Sequence, residues 1–279
     1  MKVSNFVLVA VFAVSTPEIV VAQSESPAGP PFGASYADIV DLADSAPLVV
    51  RAQPRRVVRV EDARAPGLSA GTGRFYIEAK TVALVSGQGD LAPALAFLAD
   101  LSLDPKGKPP ALKKKDVVVF ARAVSGQPGE LALVSRDSLL LWTPELDARL
   151  RAALTALIAP DAPARVTGVR EIIHVPGSLE GEGDTQVFLT TANGTAASLL
   201  VQHRPGQPPR WGASFSELTA DIANPPQRDS LAWYRLACFL PRQLPAGVNR
   251  SDTPEAAAQA GSDYRFVIEG LGDCPRQRR

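Results

Sequence analysis

A two-residue alternation of apolar and polar side chains dominates the chain between Leu48 and Ser135. This period is typical of β-strands that place one face in a core. Turn-rich breaks separate five alternating runs, and no long helical pattern lies between them. The first run continues past Pro54, and a proline within a strand belongs at an edge or a bulge, so we predict one long bent strand there. The five runs start near Leu48, Phe75, Phe97, Val117 and Leu131.

Five short strands with a bent first strand predict a small antiparallel, OB-like β-barrel, because a sheet must kink to fold back and close on itself. An SH3-like barrel and an open sandwich are the alternatives. We assign residues 35–141 to this barrel module. It opens with a short helix in which Ser35 is the N-cap and Asp38 completes a capping box.

A different pattern follows the barrel. Thr143 and Pro144 are the residue types of an N-cap and a first helical position, and apolar residues recur at helical spacing until Pro160. Strand-like runs come next, with a hairpin signal at Asn193-Gly194. We therefore predict that residues 142–240 form a smaller α+β module. Its candidate strands are 166–175, 186–191, 196–202 and 211–215.

The end of the chain is predicted to be less regular. Ser230–Leu240 is apolar on almost every side, which is typical of a buried helix, and Asp229 is its predicted cap. Residues 241–279 are predicted to be a polar C-terminal tail with one possible strand at Tyr264–Ile268.

The first residues have the pattern of an export signal. Lys2 is followed by the uninterrupted apolar stretch Phe6–Val14. As a helix this stretch rises only about 13–14 Å, too short for a bilayer core of about 30 Å. Small residues at the end of the segment predict that a signal peptide, residues 1–22, is cleaved between Ala22 and Gln23. The alternative is an N-terminal strand or buried helix.

Export would place the mature chain in the periplasm or outside the cell. Residues 23–34 then form a flexible leader rich in Pro, Gly and Ser. Cys238 and Cys274 are the only cysteines, and in an oxidising compartment they could pair and hold the C-terminal tail against the body. The alternative is a buried free Cys238 within a helix and an unrelated Cys274 in the tail.

Common catalytic motifs are missing from the sequence. Histidine is the usual partner of a nucleophile, but only His174 and His203 occur, and no serine lies in a G-x-S-x-G elbow. We predict a satisfied strand residue for His174 and a solvent-facing ring for His203. Two isolated histidines and two distant cysteines predict no metal site, and no motif predicts a cofactor. Residues 180–184 are acidic but lack a calcium-loop pattern, and we predict a solvated hairpin turn.

Charge limits the partners that this chain would bind. Its 29 basic and 29 acidic residues balance, which argues against a protein that coats nucleic acid. No segment after the leader approaches the roughly 18 apolar residues of a membrane span. One basic loop is a candidate contact for anionic surfaces, although a solvated loop whose lysines discourage strand pairing is the favoured reading. Its lysines are Lys106, Lys108, Lys113, Lys114 and Lys115.

Four segments carry a resemblance to known kinds of protein. The strings REIIHVPG, PGQPPRWG and LAWYRLACFLP resemble exported bacterial proteins without a functional assignment, and ADIVDLADSAPLVVRA is similar to the start of small OB-like barrels in secreted bacterial proteins. Neither resemblance implies an activity. Because the usual catalytic sets are missing while two folding modules and an export signal are predicted, we expect an exported, non-catalytic module that binds an unknown protein or envelope component. The alternative is a carboxylate-dependent hydrolase that acts on envelope glycans.

Overall fold

The computed structural model describes residues 33–216 and 224–278. The predicted signal peptide, its cleavage site between Ala22 and Gln23, and most of the predicted leader lie outside these ranges, so they stay predictions. Within the two described ranges, no helix combines the length and the apolar character needed to cross a membrane.

Five strands close into a barrel in the order β1-β2-β3-β5-β4, and β4 pairs back with β1. β3 and β5 run parallel and the other neighbours are antiparallel. The closure confirms the predicted small barrel over an open sandwich and is compatible with an OB-like form. The strands are β1 (Leu48–Arg59), β2 (Thr72–Ser86), β3 (Ala94–Ser102), β4 (Val117–Ala123) and β5 (Glu130–Leu133), and the short β6 (Leu139–Leu141) pairs antiparallel with β4.

The bend of β1 lies where the proline predicts it. The register between β1 and β2 shifts between Pro54 and Arg56, and again between Arg51 and Ala52. These bulges let one strand pair with β2 along its length and with β4 at its start. The loop between β3 and β4 contributes Leu112, which is buried in the barrel core.

The second module is a four-stranded antiparallel sheet, β10-β9-β8-β7, with α4 packed against β7 and β8. The predicted caps Ser35 and Thr143 begin the helices α1 and α2 and accept hydrogen bonds from Asp38 and Leu146. The elements are α1 (Tyr36–Ser45), α2 (Pro144–Ile158), β7 (Val166–Pro176), β8 (Gly183–Thr191), β9 (Ser198–His203), β10 (Arg210–Ser214), α3 (Leu231–Ala237) and α4 (Pro254–Leu271).

Two helix predictions need correction. The N-cap of α3 is Ser230, because Asp229 adopts a positive φ of 59° and the Ser230 hydroxyl accepts from the Trp233 amide. The predicted strand Tyr264–Ile268 is part of α4, which Thr253 caps. A five-residue apolar run fits either period, and the helix becomes evident only over its whole length.

The barrel has its own interior core, and its outer wall packs into a second apolar core that it shares with the second module. Val118 and Phe120 of β4 and Val49 of β1 point away from the barrel interior and are fully buried. They belong to the same buried cluster as α1 and as Tyr234 and Tyr264 of the second module. The outer wall of the barrel therefore forms part of the core of the α+β module.

A disulfide between Cys238 and Cys274 confirms the predicted pairing. It fixes the C-terminal strap, defined as residues 274–278, which lies along α1. In the strap, Arg276 Nε donates to Asp41 at 2.7 Å, and the amides of residues 277 and 278 both donate to Asp38 at 3.0 Å. Asp38, which completes the capping box of α1, thus also anchors the C-terminal strap.

Candidate functional site

A network of polar side chains lies between the second sheet and α4. In the sheet register, His174 of β7 stands opposite Thr185 of β8, and His203 of β9 stands opposite Gly183. Asp263 of α4 reaches from the helix to these strands. The antiparallel meander and the helix above it therefore bring together residues from four separate segments.

Asp263 is the centre of the network and is only 3% exposed. Its Oδ1 accepts from His203 Nε2 and from Gln259 Nε2, each at 2.9 Å. Its Oδ2 accepts from the Thr185 hydroxyl. Three donors thus satisfy a carboxylate that would otherwise be costly to bury.

The network fixes the tautomer of His174. Its Nδ1 lies 2.7 Å from Thr185 Oγ1. A hydroxyl has one proton and Thr185 donates it to the Asp263 carboxylate, so Nδ1 of His174 must be the donor of its own bond. The Nε2 of a neutral His174 is then an acceptor. Burial lowers the pKa of His174 below its ordinary value, although the charge of Asp263 opposes this shift.

The His174 ring packs directly over the backbone of Gly183. A β-carbon at Gly183 would lie 2.8 Å from Cε1 and 2.9 Å from Nε2 of the ring. The backbone N–H of His174 donates to Ser251 Oγ at 3.0 Å, which ties β7 to the segment before α4. These contacts hold the imidazole in one orientation.

A cleft of about 310 Å³ opens beside the network. His174 and His203 line it, together with Glu182 and Glu255. Glu182 Oε2 accepts from the amides of residues 178 and 179 in the turn between β7 and β8. Thr185 is fully buried and gives its proton to Asp263, so it does not act as a nucleophile. The cleft therefore offers hydrogen-bond acceptors rather than a nucleophilic set.

Sequence analysis considered two members of this network, His174 and His203, and did not identify the other three. The predicted satisfied ring of His174 is confirmed at Nδ1. The prediction that the His203 ring faces solvent is wrong, because its side chain is only 22% exposed and donates to Asp263. Thr185, Gln259 and Asp263 were not predicted. The spacing of Gln259 and Asp263, four residues apart, would have paired them on one face of a helix.

Two other predicted features lie elsewhere. The hairpin turn predicted at residues 180–184 lies at the β7–β8 turn, but that turn spans residues 177–182, and Gly183 and Asp184 already belong to β8. No metal-binding group of three ligands occurs in the described ranges. The five predicted lysines are exposed in the loop between β3 and β4, on the barrel and outside the cleft. The Lys114 amide donates to Pro54 at 3.1 Å. Contact with anionic surfaces stays a prediction.

We predict opposite tautomers for the two imidazoles. Nitrogen-15 spectra should show a protonated Nδ1 in His174 and a protonated Nε2 in His203, because these atoms donate to Thr185 and Asp263. The chain has only two histidines, so the signals of each ring can be assigned. The pKa of the His174 imidazole should lie below its ordinary value of about 6.5, because burial disfavours the charged ring. A His174 ring protonated at Nε2 at neutral pH would contradict the assignment.

Any assignment of function rests on the contacts and charges of the chain itself. Neither a protein-family model nor a curated protein matches this sequence.

Proposed function

We propose that the protein is an exported, non-catalytic binding protein that holds an extended segment of a partner protein at the free end of β2. The observation that supports this proposal is the overhang of β2. β3 pairs with β2 only as far as Lys80, opposite Ala94. Among the described strands, residues 82–86 of β2 pair with β1 alone.

The overhang has the side chains of a docking edge. Val82 is 43% exposed and Leu84 is 38% exposed, although both are apolar. Residues 82–86 include no charged residue and no proline, the groups with which proteins usually block a free strand edge. An open apolar edge attracts a further strand, which gains main-chain hydrogen bonds and side-chain contacts together. The edge therefore suits a partner segment with alternating apolar residues.

Export is supported by separate observations. The disulfide between Cys238 and Cys274 is of the kind that persists in oxidising compartments. The N-terminal pattern predicts a signal peptide, which points to the same compartment. Location in the periplasm or outside the cell is part of the proposal.

At one cleft, binding is favoured over glycan hydrolysis because its carboxylates are engaged in structural contacts. Asp38 and Asp41 line one cleft with Asp137. Both Asp38 and Asp41 accept hydrogen bonds from the C-terminal strap, and Asp137 accepts from Ser135 at 2.6 Å. A glycosidase needs one carboxylic acid and one carboxylate free to act on the substrate. In this cleft the carboxylates are occupied by structural contacts.

We expect the double variant Val82→Lys, Leu84→Lys to lose the partner. Lysines on an edge oppose the addition of a strand because their charges must stay hydrated. The mature protein would be used to capture partners from envelope extracts, and mass spectrometry would quantify them. The wild type should recover one stoichiometric protein, and the edge variant should recover at least about tenfold less.

Val58→Lys is the matched control, because Val58 is also exposed but lies at the other end of the β1–β2 pair. It should retain the partner. Thermal unfolding of all three proteins would show whether the barrel is intact. Equal capture by the edge variant would contradict the docking edge, and the absence of any stoichiometric partner would contradict the binding function.

A further inference from the structure

We infer that the cleft beside His174 binds a small ligand through a protonated primary amine. This site is in the second module and is independent of the β2 edge. The cleft is lined by acceptors and acidic groups, whereas an ammonium group has three donors and a positive charge. The two sets are complementary.

The first support is an unused acceptor. The His174 side chain is only 9% exposed and lines the cleft. Its Nδ1 donates to Thr185, and its Nε2 has no hydrogen-bond partner among the described residues. Nε2 is not among the fully buried side-chain atoms that lack a partner, so it is accessible from the cleft. A donor on a ligand would supply the missing partner.

The second imidazole adds another acceptor. His203 Nε2 donates to Asp263, because the carboxylate can only accept. The neutral ring therefore keeps a lone pair on Nδ1. The rings of His174 and His203 lie with their centroids 6.1 Å apart and nearly perpendicular. One shared carboxylate thus orients two imidazoles at the wall of the cleft.

The charges that line the cleft decide the charge of the ligand it favours. Glu182 and Glu255 line the cleft, and no lysine or arginine does. The nearest part of α4 is its N-terminus, which would favour an anion, but the Thr253 hydroxyl already caps it at 3.1 Å from the Ala256 amide. Arg204 lies outside the lining and pairs with Asp184 at 2.8 Å. A cation is therefore favoured.

The cleft suits an organic ammonium better than a metal ion. The described residues hold no group of three ligands arranged around one point, and a bound transition metal needs at least that number. The volume of about 310 Å³ is at the lower end for small-molecule sites. It has room for one amino sugar or one amino acid. Both carry the same ammonium chemistry.

Titration of the two imidazole rings in nitrogen-15 spectra tests the inference with defined probes. D-Glucosamine should shift the Nε2 signal of His174, and N-acetyl-D-glucosamine, which lacks the charge, should not. n-Butylamine, a plain alkylammonium, shows whether the sugar contributes: a response equal to that of glucosamine assigns the site to the ammonium group alone. A response to glucosamine only assigns it to an amino sugar.

The double variant Glu182→Gln, Glu255→Gln should weaken glucosamine binding by about tenfold, because it removes the two charges of the lining. Glu180→Gln is the matched control, since Glu180 is an exposed acid of the same turn that does not line the cleft. It should leave the affinity unchanged. Equal binding of glucosamine and its N-acetyl form, or no shift with either amine, would overturn the inference.

Discussion

Replacing Cys238 and Cys274 together with alanine is expected to lower the free energy of unfolding by about 3–4 kcal/mol. The bond joins residues 36 positions apart, so it removes much of the freedom of the unfolded chain. Urea denaturation of the double variant and of the wild type gives this difference directly. The variant should be insensitive to reductant, whereas the reduced wild type should approach the variant in stability.

The loss is expected to be largest in the C-terminal strap. Cys274 is the residue through which the strap is covalently held, and the remaining contacts are hydrogen bonds to Asp38 and Asp41. Amide hydrogen exchange at Gln277 should therefore accelerate more than exchange in β4. A stability change below about 1 kcal/mol would show that these hydrogen bonds hold the strap without the disulfide.

The barrel could be predicted because its local signals agree. The alternation of Phe75, Ile77 and Ala79 matches their buried side of β2, and the proline in β1 marks a real shift in register. A bulge and a strict period of two leave few ways to close five short strands. Local sequence was sufficient here because each signal lies within one strand or one turn.

The shared core is indicated in the sequence by apolar runs that the two-residue alternation makes easy to overlook. Residues 48–50 and 117–121 are continuous apolar runs, the pattern of strands buried on both faces. Reading them as alternating strands places a boundary between two modules near residue 142. In the structure the second face of these strands packs against α1 and the α+β module. These runs indicate burial on both faces, but the partner of the second face lies in distant segments, so the sequence does not identify it.

The candidate site could not be predicted for a related reason. Asp263 is a charged residue on the buried side of α4, and a sequence pattern gives such a residue no partner. Its partners come from β8 and β9, about 60 or more residues earlier in the chain. Because Tyr264–Ile268 was also predicted as a strand, the helix that carries Asp263 was not predicted. The site becomes visible only when the sheet and the helix are packed together.

Asp263→Asn is expected to destabilise the protein by about 2–4 kcal/mol, although the side chain keeps its size. The carboxylate accepts from Thr185, His203 and Gln259, and an amide must direct its own N–H₂ group at one of these donors. Buried donors then face each other without an acceptor. Urea denaturation measures the loss.

Asp184→Asn is the control for this variant, because Asp184 forms a pair with Arg204 in which both side chains are more than two-fifths exposed. Such a pair contributes less than about 1 kcal/mol.

Asp263→Asn should also free the Thr185 proton and so release His174 from a single tautomer, which the nitrogen-15 spectrum would record as a mixture. A variant as stable as Asp184→Asn, with His174 still protonated at Nδ1 alone, would show that the carboxylate does not organise the cleft. If both changes occur together, one buried charge stabilises the second module and sets the acceptors of its cleft.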